Sequence, residues 1–129
     1  MISIIDDDAF VRQAIENLLQ SLGFCVTAFS SAEAFLESGL ADDTSCLITD
    51  LQMPGLTGLD LQQRLIKNGK RLPIIFITAF FSESARKRAL EGGAIGFLSK
   101  PFADECLIEC LNRALGGPGP PKSSAIATG

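Results

Sequence analysis

Asp6 and Asp7 close the first apolar run of the sequence, Asp50 closes the third, Thr78 the fourth, and Lys100 follows the fifth. Carboxylates, a hydroxyl and an ammonium are the groups that bind a hard cation and a phosphoryl group. Clustered carboxylates repel and raise one another's pKa unless a cation sits among them. Mg2+ or Mn2+ suits such an all-oxygen site, holding carboxylates, waters and a phosphoryl oxygen together. An ionised Asp beside that cation is already a nucleophile and needs no general base to accept a phosphoryl group. The metal and Lys100 would neutralise the charge that spreads over the transferring oxygens. The chain contains no histidine, which excludes Ser-His-Asp and Cys-His nucleophiles and His-ligated zinc. A phosphohistidine donor must therefore come from another protein.

Residues this far apart meet only if the fold gathers the ends of the apolar runs. Met1 to Ile5 reads as a buried strand stopped by acids, and Ala9 to Leu22 as a helix with Val11, Ile15, Leu18, Leu19 and Leu22 on one face. Gly23 ends that helix, and Phe24 to Phe29 is the second strand. Ser30-Ser31-Ala32-Glu33 reads as a capping box opening a short helix through Phe35 and Leu36. Asp42-Asp43 is a polar turn before a third strand, Ser45 to Thr49. Met53 to Gly58 is a loop by its Pro and Gly content, followed by a helix over Leu59 to Asn68. Pro73 to Thr78 and Ala94 to Leu98 are strands, while Ser82 to Glu91 and Phe102 to Leu115 are helices.

Strands without polar alternation need both faces covered, so strict strand-helix alternation predicts a doubly wound α/β fold with a parallel sheet. In such sheets ligands bind at the carboxyl ends of the strands, where Asp6, Asp7, Asp50, Thr78 and Lys100 all fall. With 129 residues, 47% hydrophobic, the chain has room for one well-cored domain. Residues 116–129 are rich in Gly, Pro and small polar residues and read as a linker or tail, with a C-terminal output domain expected beyond it.

A net charge of −4 argues against direct binding to nucleic acid. The four cysteines, Cys25, Cys46, Cys106 and Cys110, form no CxxC pair and read as reduced thiols. Cys106 and Cys110, four apart on a helix, are expected to face one side. No apolar run is long enough to span a membrane, and the N-terminus lacks a signal peptide's basic region, so a soluble cytoplasmic protein is expected.

Ile4-Ile5-Asp6-Asp7-Asp8, Thr49-Asp50-Leu51-Gln52-Met53-Pro54-Gly55, Phe76-Ile77-Thr78-Ala79 and Phe97-Leu98-Ser99-Lys100-Pro101-Phe102 together resemble the receiver domain of two-component response regulators. The resemblance covers residues 1–115 and is nearest the FixJ-type subgroup, which usually carries a C-terminal helix-turn-helix of the LuxR kind. It implies a flavodoxin-like (βα)5 sandwich with sheet order 2-1-3-4-5. It implies that Asp50 is the phosphoacceptor, and that Asp7, Asp50 and the backbone carbonyl of Gln52 bind the metal directly, with Asp6 acting through water. Lys100 would pair with the phosphoryl group, Thr78 would swing toward it, and Phe97 would be the aromatic switch. Lys100 and Pro101 would be joined by a cis peptide. Gln52, Ala79 and Phe80 occupy positions that influence phosphorylation lifetime.

The partners so implied are a sensor histidine kinase, a second copy of the chain on phosphorylation, and DNA through the output domain only. Arg86-Lys87-Arg88 reads either as a solvated face or as part of a dimer surface on the fourth helix and fifth strand. Three other classes fit less well. A haloacid-dehalogenase-type phosphatase wants a second Asp where Gln52 stands. A flavodoxin-like cofactor binder wants a phosphate loop after the first strand, and nucleotide hydrolysis wants GxxxxGK. A pseudo-receiver usually lacks one of the acids or the lysine, all of which are present here.

Overall fold

A computed structural model describes residues 1–116. Its elements run β1 (Ile2–Ile5), α1 (Ala9–Ser21), β2 (Val26–Phe29), α2 (Ala32–Ser38), a 3-10 turn (Ala41–Asp43), β3 (Cys46–Asp50), α3 (Gly58–Lys67), β4 (Ile74–Thr78), α4 (Glu83–Glu91), β5 (Gly96–Ser99) and α5 (Asp104–Ala114). The strands form one five-stranded sheet in the order β2-β1-β3-β4-β5, and all of its pairings are parallel. The expected doubly wound, flavodoxin-like sandwich is the observed fold. Past Gly116, the expected linker lies outside the described residues.

The central strands are buried along their whole length because helices cover both faces of the sheet. Alternation then divides their side chains between two cores. Ile2, Ile4, Cys46, Ile48, Ile75 and Ile77 pack with Ile15 and Leu19 of α1 and Leu107, Cys110 and Leu111 of α5. On the opposite face Ile5, Leu47, Ile74 and Phe76 pack with Phe35 of α2, Leu61 and Leu65 of α3 and Ala89 of α4. Each fully buried side chain of this size contributes about 1.5–3 kcal/mol, so both layers are firmly held to the sheet.

Register levels the carboxyl ends of the strands. Ile5 lies opposite Thr49, Asp50 opposite Ile77, and Thr78 opposite Ser99. The next residues, Asp6 and Lys100, therefore emerge at the edge where Asp50 and Thr78 end.

Three local expectations are corrected. Leu22 is exposed, because α1 ends at Ser21 and Leu22 caps it outside the buried stripe. Cys106 is exposed and Cys110 buried. The stripe of α5 that faces the sheet is Leu107, Cys110 and Leu111, with Cys106 just outside it in the first turn. Burial pushes the Cys46 thiol up to about 12, with Cys110 adding to the effect. The capping box at Ser30 and Glu33 does not form: Ser31 is the N-cap of α2 and accepts a bond from Ala34 N at 3.0 Å.

Candidate functional site

Asp6 continues β1 and is fully buried, Asp50 ends β3 at 7% exposure, and Asp7 is exposed in the turn before α1. One carboxylate oxygen from each lies within 4.8 Å of the others. The turn is built by its own acids. Asp6 Oδ1 accepts from Asp8 N at 2.8 Å, and Asp8 caps α1 by accepting from Phe10 N at 2.9 Å. Arg12, one turn into α1, donates to the main-chain carbonyl of Asp6 at 2.6 Å. This fixes the backbone that carries the two acids.

Lys100 follows β5, and its main-chain N–H donates to Thr78 O at 2.7 Å. Its ammonium reaches across the strand ends to Asp6 Oδ2 at 2.9 Å and Asp50 Oδ2 at 3.1 Å. Burial would lower the Lys100 pKa, but the bonds to Asp6 and Asp50 outweigh it and hold the ammonium above its ordinary value of 10.5. Burial raises the Asp6 carboxyl above its ordinary 3.8 even though Lys100 and Asp8 N pull it down. In so dry a place a charge left without any partner is costly.

Asp50 is oriented from two sides, since Oδ1 accepts from Gln52 N at 3.2 Å while Oδ2 takes Lys100. Gly58, the first residue of α3, is pressed against this strand end. A Cβ there would lie 2.5 Å from the main-chain oxygen of Asp50 and 3.0 Å from the Phe76 ring. Thr57 and Asp60 form a full capping box at the start of α3, and these bonds hold the Asp60 carboxyl below its ordinary 3.8.

Asp6, Asp7, Asp50 and Lys100 thus meet in one site. Thr78 sits at the same edge but faces elsewhere: its hydroxyl donates to Phe80 O and accepts from Phe80 N, both at 3.1 Å. Phe97 lies back along β5, three residues before Lys100 and half-buried, with Phe76 at 6.4 Å and Phe81 edge-on at 6.0 Å between ring centroids. Gln52 is exposed in the loop after β3, and the Lys100–Pro101 peptide is cis. Arg86, Lys87 and Arg88 are exposed on α4, with Arg86 paired to Glu83 at 2.9 Å. Sequence reasoning missed Arg12 and Glu33 as residues that organise the loops around the acids.

The donor set is hard oxygen throughout, with carboxylates from two chain segments converging on one point, and that fits a small divalent cation. Asp6, Asp7 and Asp50 are the residues that could hold it, beside a fixed ammonium that can meet an anionic ligand.

A receiver fold with this acid triad defines a class of signalling protein, and residues 2–112 match the response regulator receiver domain. The chain belongs to that family. Nodulation protein W of Bradyrhizobium diazoefficiens is 42% identical over 111 residues, covering 86% of this chain and 49% of that protein. The transcriptional regulatory protein FixJ of Azorhizobium caulinodans is 38% identical over 115 residues, covering 89% and 54%. The crystal structure of FixJ-N superposes with a TM-score of 0.79 at 36% identity, over 88% of this chain and 91% of that one. The chain spans about half the length of the curated relatives it matches. It is a signalling rather than a metabolic module.

Proposed function

We propose that the domain, residues 1–115, accepts a phosphoryl group from a partner histidine kinase onto Asp50, and that the phosphorylated form dimerises through α4 and β5. A C-terminal output domain, tethered by the linker after residue 115, would then act on DNA in the cytoplasm. The observation that carries this reading is the convergence of Asp50 with Asp6, Asp7 and the Lys100 ammonium at the strand ends.

In the transfer, an Asp50 carboxylate oxygen forms the new bond to phosphorus. The bond from phosphorus to the kinase imidazole nitrogen breaks, and its electron pair returns to that nitrogen. Asp50 has no proton to lose, so the missing histidine is no handicap. A divalent cation bound by Asp7, Asp50 and the Gln52 carbonyl, with Asp6 acting through water, would supply charge neutralisation for the phosphoryl oxygens. Lys100 supplies the second positive charge and already lies against Asp50. To engage the phosphoryl group, the Thr78 hydroxyl must give up its two bonds to Phe80, which lets Phe97 repack beside it.

Intact-mass analysis after incubation with acetyl phosphate and MgCl2 tests the reading. A single phosphate on the wild type and none on Asp50→Asn is expected. No adduct, or an adduct that survives in the Asn variant, overturns it. Gel filtration of the same samples tests dimerisation, which an unchanged elution volume would exclude for this chain.

A further inference from the structure

We infer that Glu33 of α2 is a positioning residue for the loop that follows the phosphoacceptor, an inference that rests on the role proposed for Asp50. With Ser31 as N-cap, Glu33 is the second residue of its helix, one short of the position from which a glutamate turns back to complete a capping box. Here Ser31 does the capping, and the Glu33 side chain leaves the helix. Its Oε2 accepts from the main-chain N–H of Leu56 at 3.1 Å, a residue 23 positions on and in the loop between Asp50 and α3.

The loop has two fixed ends. Gln52 N is bonded to Asp50 Oδ1 at 3.2 Å, and Gly58 N to Leu51 O at 2.9 Å. Met53 is tucked into the core at 7% exposure. The outer arm, Pro54-Gly55-Leu56, turns back through a left-handed residue, Gly55 at φ +78°. Pro54 has no N–H to offer. Glu33 holds this arm by taking the Leu56 N–H, and its carboxylate lies so close to Gly55 that a Cβ there would run into Oε2. Glycine is favoured at residue 55 by its backbone angle, and a side chain there would push the Glu33 carboxylate aside.

Holding the arm sets the path of the chain from Met53 back to Gln52. That path determines where the Gln52 carbonyl points, and this carbonyl is the one main-chain ligand proposed for the cation. Glu33 touches neither the cation nor the phosphoryl group, and acts through the backbone of residues 52–56. The Ser-Ser-Ala-Glu signature at the start of α2 is thus split between two tasks: the second serine caps the helix and the glutamate reaches the site loop.

The test compares wild type, Glu33→Ala and Glu33→Gln by 15N NMR, first metal-free and then during titration with MgCl2. Glutamine keeps an oxygen that can accept the Leu56 bond while removing the charge. Metal-free Glu33→Ala is expected to shift the Leu56 and Gln52 amide resonances and speed Leu56 N–H exchange, with Glu33→Gln close to wild type. Loss of this one solvent-exposed hydrogen bond should raise the half-saturating Mg2+ concentration of Glu33→Ala about three- to tenfold, leaving Glu33→Gln within about twofold. Unmoved Gln52 and Leu56 resonances in Glu33→Ala would overturn the inference. So would Glu33→Gln impaired as much as Glu33→Ala, which would mark a plain charge effect. A wild type that binds no Mg2+ would sink the site proposed around Asp50, and the metal-free spectra would still decide on Glu33.

Discussion

Replacing Lys100 with alanine strips away the one cation that, among the described residues, pairs with two carboxylates the fold keeps from water. The ammonium lies 2.9 Å from Asp6 and 3.1 Å from Asp50, and the Asp6 side chain has no exposure. At an effective dielectric of about 20, a contact of this length is worth about 5 kcal/mol of attraction before desolvation is subtracted. Removing one partner of a buried pair costs about 3–5 kcal/mol, because the other charge stays buried. Asp6 can escape part of that cost by taking a proton, since burial already raises its carboxyl. A loss of about 2–4 kcal/mol at pH 7 in EDTA is therefore expected. With an unfolding entropy of about 2.1 cal/mol/K per residue over the 116 described residues, the melting temperature falls by about 8–16 °C.

The pH dependence has a definite sign. A carboxyl whose folded pKa lies above its unfolded value gives stability that is present at low pH and lost as pH rises through the folded value. Removing Lys100 pushes Asp6 further that way, so the deficit should be smaller at pH 5 than at pH 8. Lys100 contributes fully below its ordinary 10.5 and loses its effect as pH rises through its elevated folded pKa, so the two proteins should converge at strongly alkaline pH. MgCl2 at about one hundred times its dissociation constant should return about 2.7 kcal/mol to any variant that still binds it. Thermal melts followed by circular dichroism at several pH values measure all of this. A melting temperature within about 2 °C of wild type at pH 7, or a deficit that does not change with pH, would refute the reasoning.

Asp6→Asn should raise or leave unchanged the metal-free stability at pH 7, because it removes a carboxylate whose ionised form burial disfavours while Lys100 keeps Asp50 as its partner. Its stability should vary less between pH 4 and 7 than that of the wild type, and its Mg2+ affinity should fall; melts with and without MgCl2 measure both. Gly58→Ala should cost about 1–3 kcal/mol in urea unfolding, since its methyl group meets main chain and a core ring rather than a side chain that can move aside. It should also slow labelling of Asp50 by acetyl phosphate, because the atom it strikes is the carbonyl of Asp50 itself. Thr57→Ala should lose about 1 kcal/mol at neutral pH. The Asp60 carboxyl held low by Thr57 gives stability present above 3.8 and lost as pH falls through its folded pKa, so the difference between Thr57→Ala and wild type should fade in acid.

The sheet was legible in the sequence because runs such as Ile74 to Thr78 have no polar alternation, and such strands stand only between two helix layers. Once the layers are known, the strand-end rule gathers Asp6, Asp7, Asp50 and Lys100 without any further information. Contacts made by side chains over long sequence distances were not legible. Ser30-Ser31-Ala32-Glu33 offers two registers for a cap; Ser31 is the one used, and the Glu33 carboxylate goes instead to Leu56 N, a partner no local pattern reveals. Gln62 looks like a solvated helix residue, yet it is 1% exposed because its amide donates to Ala89 O of α4 at 2.9 Å. The orientation of Thr78 toward Phe80 is likewise set by the loop after β4, whose path the sequence does not specify.

Lys100 binds one acid 94 residues before it and another 50 residues before it. A chain emerging from the ribosome amino end first therefore makes its acids long before it makes the group that neutralises them. Until β5 joins the edge of the sheet, the nascent domain carries a cluster of negative charge at the ends of β1 and β3. Any fragment that stops short of residue 100 lacks the ammonium that pairs with Asp6 and Asp50. The charge pairing of the site is thus complete only when the last strand has been delivered and paired.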